Sequence, residues 1–398
     1  MRLVYFAHNL NDPAVAKRLA MLRAAGISAI ASGFWRNTPP PREIEHARVI
    51  PFGRTRDAAL VHRGLQSLKC ATFAGTLLKD VGEADIFMAR NLEMLAIAVP
   101  AARHRPRPPA VVYEVLDIHR MLLSESPIAR CLRSVERALM RDVSLLVTSS
   151  PAFLREYFEP LQFGIRPPRT EVVENKILEL QPLESEQAGP LLEPGPPWRI
   201  GWLGMIRCRK SLGILGDLAK RRPDLVRVEI FGRPTREVAQ DLKSLAHSIP
   251  AMTFGGSYAR TDLGRLYGRM HFSWAIDYFE EGANSQWLLP NRIYEGGRYN
   301  VTPFALRGTE TGNWLSDLGL GILLKTPGVE LEEVLEDLTP ATYGELKAAA
   351  RAAPRSSFVA DQRDCDRLRA ALSAAIGRSR CGRPVGLDPE LARVACEG

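Results

Sequence analysis

The sequence predicts an α/β protein built from two doubly wound, parallel-sheet domains in series. Three observations lead there. The chain has 398 residues, 45% of them hydrophobic and 25% charged, enough for two full cores in a globular protein. Short apolar strands alternate with helix-period segments, first over about 150 residues and then again from Trp198 onward. A proline-rich stretch with little periodicity, 181–197, separates the two series and reads as a linker. The expected organisation is therefore 1–180, linker 181–197, 198–358, a closing helix over 359–377 and a loose tail over 378–398.

Taken in order, Leu3–Ala7 is a buried strand. Asp12–Pro13 then opens a helix as cap and first residue, with Val15, Leu19 and Leu22 on its core face. Gly26 ends it before a strand over Ile27–Ala31. Residues 36–56 read as a loop with a short strand near Val49–Phe52, and a long helix follows over 57–79. Strands at 85–90, 110–116 and 144–149 alternate with helices at 92–102 and 128–141. In the second series, strands fall at 198–203, 226–231, 252–254, 272–276, 301–306 and 321–324. Helices fall near 209–221, 235–247, 261–268, 290–298 and 311–316, with closing helices at 330–338, 342–352 and 359–377. Two such domains face each other across a cleft at the carboxyl ends of their strands.

Bulk properties narrow the function. No apolar run reaches eighteen residues, and the N-terminus reads as a strand rather than a secretion signal, so a cytoplasmic protein is expected. Six cysteines (Cys70, Cys131, Cys208, Cys365, Cys381 and Cys396) show no CxxC pair, which argues against zinc and against a disulfide framework. The net charge of +8 suits phosphorylated substrates, nucleic acid or an anionic membrane face. Basic patches interleaved with aromatics are lacking, so nucleic acid is not expected.

Two stretches carry the chemistry. The first runs from Ile200 to Ser211: strand, glycine turn at Gly204, then a helix start bearing Arg207, Arg209 and Lys210. Open N–H groups and cations there suit a diphosphate, although solvated cations on a first helical turn would look the same. The second is Leu288–Leu289–Pro290–Asn291–Arg292–Ile293–Tyr294–Glu295–Gly296–Gly297. Pro290 fits a first helical turn, and Arg292 and Glu295 share a face. The guanidinium suits a phosphate and the carboxylate the diol of a ribose; a surface Arg–Glu pair is the plain alternative. Gly296 and Gly297 point to close backbone approach.

These segments, with Val301 to Ala305, follow one another as in GT-B glycosyltransferases of the family 4-like group, which the chain resembles up to about residue 377. His8–Val15 and Cys208–Ser211 are similar to glycosyltransferases of succinoglycan-type exopolysaccharide biosynthesis, which extend a lipid-linked repeat unit. The resemblance implies a nucleotide-sugar co-substrate, UDP- or GDP-linked, with no further cofactor. It implies a polyprenyl-diphosphate-linked glycan acceptor at the inner membrane surface, and peripheral contact with that anionic surface. Lys210 would hold the diphosphate with Arg207 or Arg209 beside it, since Met205 stands where relatives often carry arginine. Glu295 would hold the ribose, and Trp287 stands where a second glutamate is common, leaving Arg292 to share the phosphate. Glu280, Glu281, Asn284 and Ser285 precede the helix that carries Glu295, in a loop that could touch the donor sugar, a plain acidic loop being the alternative.

In the first domain, Asp117 follows a strand at the cleft edge, where it could take the proton of an acceptor hydroxyl or cap the next helix. His119 is a weaker candidate for the base; His8 faces the cleft, where it could contact acceptor or donor or serve as a structural turn histidine, and Arg90 and Asn91 belong to the same rim. No Asp-x-Asp motif stands in strand context; Asp364 and Asp366 lie within a helix and diverge, so metal-independent transfer is expected. Arg54, Arg56, Arg63, Arg103, Arg105 and Arg107 could attract headgroups; Leu60, Leu65, Leu68 and Phe73 could meet the interface if exposed, with burial in the core the expected fate of most of them. Two other readings share these features: a sugar-nucleotide epimerase of the same architecture, and a non-catalytic assembly subunit.

Overall fold

A computed structural model describes residues 1–36, 38–55, 81–164, 168–181 and 192–381. The helix expected over 57–79, with Arg56, Arg63, Leu60, Leu65, Leu68 and Phe73, lies outside the described residues, as do most of the linker and the tail from 382. Among the described residues, no helix is long and apolar enough to cross a membrane.

The first domain holds β1 (Arg2–Ala7), β2 (Ser28–Trp35), β3 (Glu43–Ile44), β4 (Ala47–Arg54), β5 (Ile86–Arg90), β6 (Ala110–Val115), β7 (Val143–Thr148) and β8 (Arg169–Val172). They form one sheet in the order β3-β4-β2-β1-β5-β6-β7-β8, parallel except for the β3–β4 hairpin. β5, β6 and β7 are buried along their whole length, as expected of strands covered on both faces. Helices α1 (Pro13–Ala24), α2 (Asn91–Arg103), α3 (Arg120–Leu123) and α4 (Pro127–Met140) supply the cover. Asp12 caps α1 by accepting from Ala14 N, with Pro13 at its first turn. After β7, one turn (Pro151–Phe153) passes into a π-helix, Leu154–Gln162, which buries Tyr157 and Phe158.

The second domain repeats the plan. Its strands are β10 (Trp198–Ile206), β11 (Val226–Pro234), β12 (Met252–Phe254), β13 (Phe272–Trp274), β14 (Thr302–Leu306) and β15 (Ile322–Leu324). They are all parallel, in the order β12-β11-β10-β13-β14-β15, a doubly wound sheet whose direction reverses between β10 and β13. Its helices are α5 (Arg209–Arg221), α6 (Arg236–Ser248), α7 (Leu263–Tyr267), α8 (Asn284–Trp287), α9 (Asn291–Arg298), α10 (Glu310–Asp317), α11 (Pro327–Glu336) and α12 (Pro340–Ala352). The core centres on Trp198, Trp202, Trp274 and Phe304. The two domains share a glycine crossing. A side chain on Gly33 would lie 1.8 Å from the Ala7 carbonyl, and one on Gly232 would lie 1.8 Å from the Gly204 carbonyl.

The chain crosses between domains twice, and the crossings pair. β9 (Ile177–Leu178) runs parallel to β16 (Val359–Ala360). Beside them the buried Glu179 carboxylate takes Arg298 at 2.6 Å and also Arg355. The last helix, α13 (Gln362–Cys381), starts three residues later than expected and stays helical through 381. It returns to the first domain, where Cys365, Leu368, Leu372 and Ala375 join Leu3, Val15, Leu19 and Leu22 in one buried cluster. Pro290 is the cap of α9 in extended conformation rather than its first helical residue, so the helix opens at Asn291. Gly296 and Gly297 answer to packing: a side chain on Gly297 would lie 2.2 Å from the Phe358 ring.

Candidate functional site

The carboxyl ends of both sheets meet at one junction, and its centre is a carboxylate that sequence reasoning passed over. Asp277 follows β13, beside the switch point of the second sheet. It accepts from Arg207 at 3.0 Å and lies 3.7 Å from Arg292, with Phe279 N donating at 2.8 Å and Ser285 Oγ at 3.3 Å. Burial works to raise the Asp277 carboxyl, but Arg292 and Arg207 outweigh it and hold it below the usual carboxylate range. Nη1 of Arg292 is buried with no hydrogen-bond partner. A cation with a spare buried donor next to a second guanidinium suits an oxyanion that could take both. Arg207 also lies over the Phe279 ring at 4.6 Å, and Phe279 and Met205 are exposed.

Gly204 is in the left-handed region at φ 105°, and nothing lies near where its side chain would be, which leaves room above the turn. Lys210 on the first turn of α5 pairs with Glu281 at 2.6 Å and lies over the Tyr278 ring at 4.2 Å. Arg209 turns the other way. It pairs with Asp241 and donates to the Glu237 carbonyl on α6, because the helical twist carries it past the cleft. It is therefore not beside Lys210's partner. Glu295 is one turn beyond Arg292, facing the domain crossing. Tyr267 donates to it at 3.1 Å, and burial raises its carboxyl against that bond, Lys17 and Arg292.

From the first domain, Asp117 reaches this group. Asn284 donates to its Oδ1 and in turn accepts from Ile118 N at 3.3 Å. Asp117 is exposed as a residue, yet desolvation acts to raise its carboxylate, against Arg207, the Asn284 bond and the Ile118 backbone N–H. It is not a helix cap: that place belongs to His119, whose Nδ1 accepts from Met121 N at 3.2 Å to start α3. His119 thus serves local structure. His8 and Asn91 stand together after β1 and β5, their side chains 3.4 Å apart, with Asn91 at φ 67°.

Arg90 is not on the rim. It is 1% exposed, and Glu114 on the adjacent strand takes it at 2.9 Å and Arg18 at 2.6 Å, with Tyr5 on the same carboxylate. A charge this deep stays ionised only with such partners, so Arg90 ties β5 to β6 and α1. Lys17, one residue before Arg18, bonds Asn175 Oδ1 and the Lys176 carbonyl, both at 3.3 Å; burial brings its amine down to about 7. Among the described residues, no group of three His, Cys, Asp or Glu side chains could hold a metal ion.

No family model matches the chain. The succinoglycan biosynthesis protein ExoL of Rhizobium meliloti is 39% identical over 374 residues, covering 92% of each chain. The chain belongs to the ExoL family. The fold of this ExoL-family chain is that of solved GT-B structures. It matches sucrose-phosphate synthase of Thermosynechococcus elongatus with TM-score 0.65 and 11% identity, over 96% of this chain and 98% of that one. HepE of Anabaena, solved with UDP and glucose, matches with TM-score 0.63 and 16% identity, over 93% and 98%. The architecture bears out the GT-B fold expected from sequence, and the kinship is with a protein of succinoglycan biosynthesis, the exopolysaccharide setting expected.

Proposed function

We propose that this chain transfers a hexosyl group from a UDP-sugar to a hydroxyl of a lipid-linked exopolysaccharide precursor. The meeting of Arg207 and Arg292 on Asp277, opposite Asp117, carries the reading. A diphosphate can take over Asp277's role as counter-ion to both arginines, with Lys210 and the N-terminus of α5 alongside. Glu295 then receives the ribose hydroxyls. The UDP-containing HepE structures favour uridine as the base. Asp117 takes the proton as the acceptor oxygen attacks the anomeric carbon. The bond from that carbon to the diphosphate oxygen breaks, and its electron pair leaves with UDP, stabilised by the cations without a metal. This single displacement inverts the anomeric centre. A desolvated carboxyl with a raised pKa is a better proton acceptor than a solvated one.

The acceptor's lipid draws the enzyme to the cytoplasmic membrane face, aided by the net charge of +8. Arg103 and Arg107 contribute less than expected, because Asp142 and Glu83 neutralise them. Calorimetry with UDP-, GDP- and ADP-sugars tests the donor site. A UDP-sugar should bind, and Lys210→Ala and Glu295→Ala should each weaken it at least tenfold, while Asp117→Ala leaves it unchanged. Unaltered affinity in both of the first two variants overturns the proposal. Product analysis with donor alone separates transfer from epimerisation.

A further inference from the structure

Asn284 stands by sequence in a loop that could touch the donor sugar, but its contacts run elsewhere. It is 2% exposed, and its amide is used on both sides by the first domain. The oxygen accepts from Ile118 N, which fixes the amide's orientation, because only the oxygen can meet an N–H. The nitrogen then has to face Asp117, to which it donates. The neighbours of Asn284 are fastened to the first domain as well. Trp287 and Leu288 pack against the first-domain core, and the Trp287 carbonyl accepts from Ser150 Oγ. Ser285, the next residue along, bonds Asp277, the counter-ion of the two arginines. The path from acceptor-side carboxylate to donor-side cations is therefore Asp117, Asn284, Ser285, Asp277, with one peptide bond in the middle.

We propose that Asn284, carried by the second domain, is the positioning residue for Asp117 of the first, so that this carboxylate is aimed only when the two domains are closed. An Asn here does what a residue of the first domain could not. It withdraws with the donor half when the cleft opens and leaves Asp117 with only the Ile118 backbone N–H of its own domain, which discourages proton transfer before donor and acceptor are both enclosed. The other charged groups acting around Asp117 are Arg207, Asp277 and Glu280, and none of these makes a hydrogen bond to its carboxylate. The inference rests on the reading of Asp117 as the base, and the two can fail separately.

The test uses the full chain carrying aspartate labelled with carbon-13 at Cγ, the Asp117 signal being identified by its loss in Asp117→Asn. Removing the amide in Asn284→Ala should raise the Asp117 titration by roughly one pH unit, since a donor to the ionised form is lost. Asn284→Asp keeps the shape but brings a second carboxylate, and should raise it further; this variant also guards against a folding defect. With the sugar nucleotide chosen by calorimetry, both variants should keep donor affinity within about twofold. Their kcat should fall about ten- to a hundredfold with KM little changed, and the acidic limb of the rate profile should move up with the titration. An Asp117 signal that titrates as in the parent protein in both variants overturns the proposal. So does a tenfold loss of donor affinity with unchanged kcat, which makes Asn284 a donor-binding group. Full activity in Asp117→Asn overturns the base assignment instead, and the titration still decides the role of Asn284.

Discussion

One carboxylate, Asp277, carries two guanidinium groups, and its removal should be felt in stability before it is felt in turnover. Its side chain is 5% exposed and that of Arg292 is 11% exposed, so Asp277→Ala leaves a nearly buried cation without its counter-ion. Urea unfolding should show a loss of about 3 kcal/mol. Added UDP should recover more of that loss than it adds to the parent protein, because it supplies the missing negative charge. A second buried acid behaves differently. Glu136 accepts from Tyr113 at 2.7 Å and from Tyr157, yet burial outweighs both hydroxyls and raises its carboxyl to about 6. Because this value lies above the usual 4.5, the folded state binds the proton more tightly than the unfolded state. Stability is full below pH 4.5 and declines as pH rises through about 6, by about 2 kcal/mol. Glu136→Gln should flatten that slope in unfolding measured from pH 4.5 to 7. An unchanged slope places the titration elsewhere. At this scale the sequence was partly legible. Arg207, Arg292 and Asp117 were expected at the cleft from type and position, and the structure brings them to one junction, because the ends of strands and starts of helices gather there. Asp277 was missed because its partners lie 70 residues before it and 15 after it. Arg90 was misplaced for the same reason: a strand-end arginine reads alike whether it faces solvent or a buried Glu114.

At the scale of elements, the alternating apolar pattern was enough to find nearly every core strand and helix, with α5 and β12 matched to the residue. What escaped has a physical explanation. The β3–β4 hairpin turns on Glu45 and His46, both with positive φ, where the usual Gly or Asn signal is absent. The π-helix at Leu154–Gln162 has an apolar face like any amphipathic helix, and its wider spacing leaves no mark in composition. β9 and β16, two residues each, are too short to show a period. One element packing was foreseen in kind. Gly297 on α9 admits Phe358 so closely that Gly297→Ala should overpack the site and cost about 1–3 kcal/mol. Phe358→Leu in the same chain should restore part of the loss, and a thermal melt of the single and double variants reads both. No rescue would mean that helix propensity or another neighbour sets the cost.

Across the whole molecule, the last helix belongs to the first domain. Leu368 and Leu372 are at most 1% exposed in a cluster with Val15, Leu19 and Leu22. The double variant Leu368→Ala/Leu372→Ala should lose at least about 4 kcal/mol. Hydrogen exchange should rise along β1 and α1 before it rises along β10 and β11. Exchange rising first in the second domain would contradict the assignment. The alternating pattern in sequence gives two domains and their order, but it does not say which of them takes the closing helix, because an amphipathic face does not name its partner.

The paired crossings at Ile177–Leu178 and Val359–Ala360 have a practical corollary. The second domain, from Trp198 to Phe358, is an insert between the two segments of the first, residues 1–178 and 359–381. A chimera intended to exchange sugar preference between relatives should therefore be cut at two neighbouring seams, not at the midpoint. The host keeps its own terminal helix, and the transplanted cassette should bring its nucleotide choice with it.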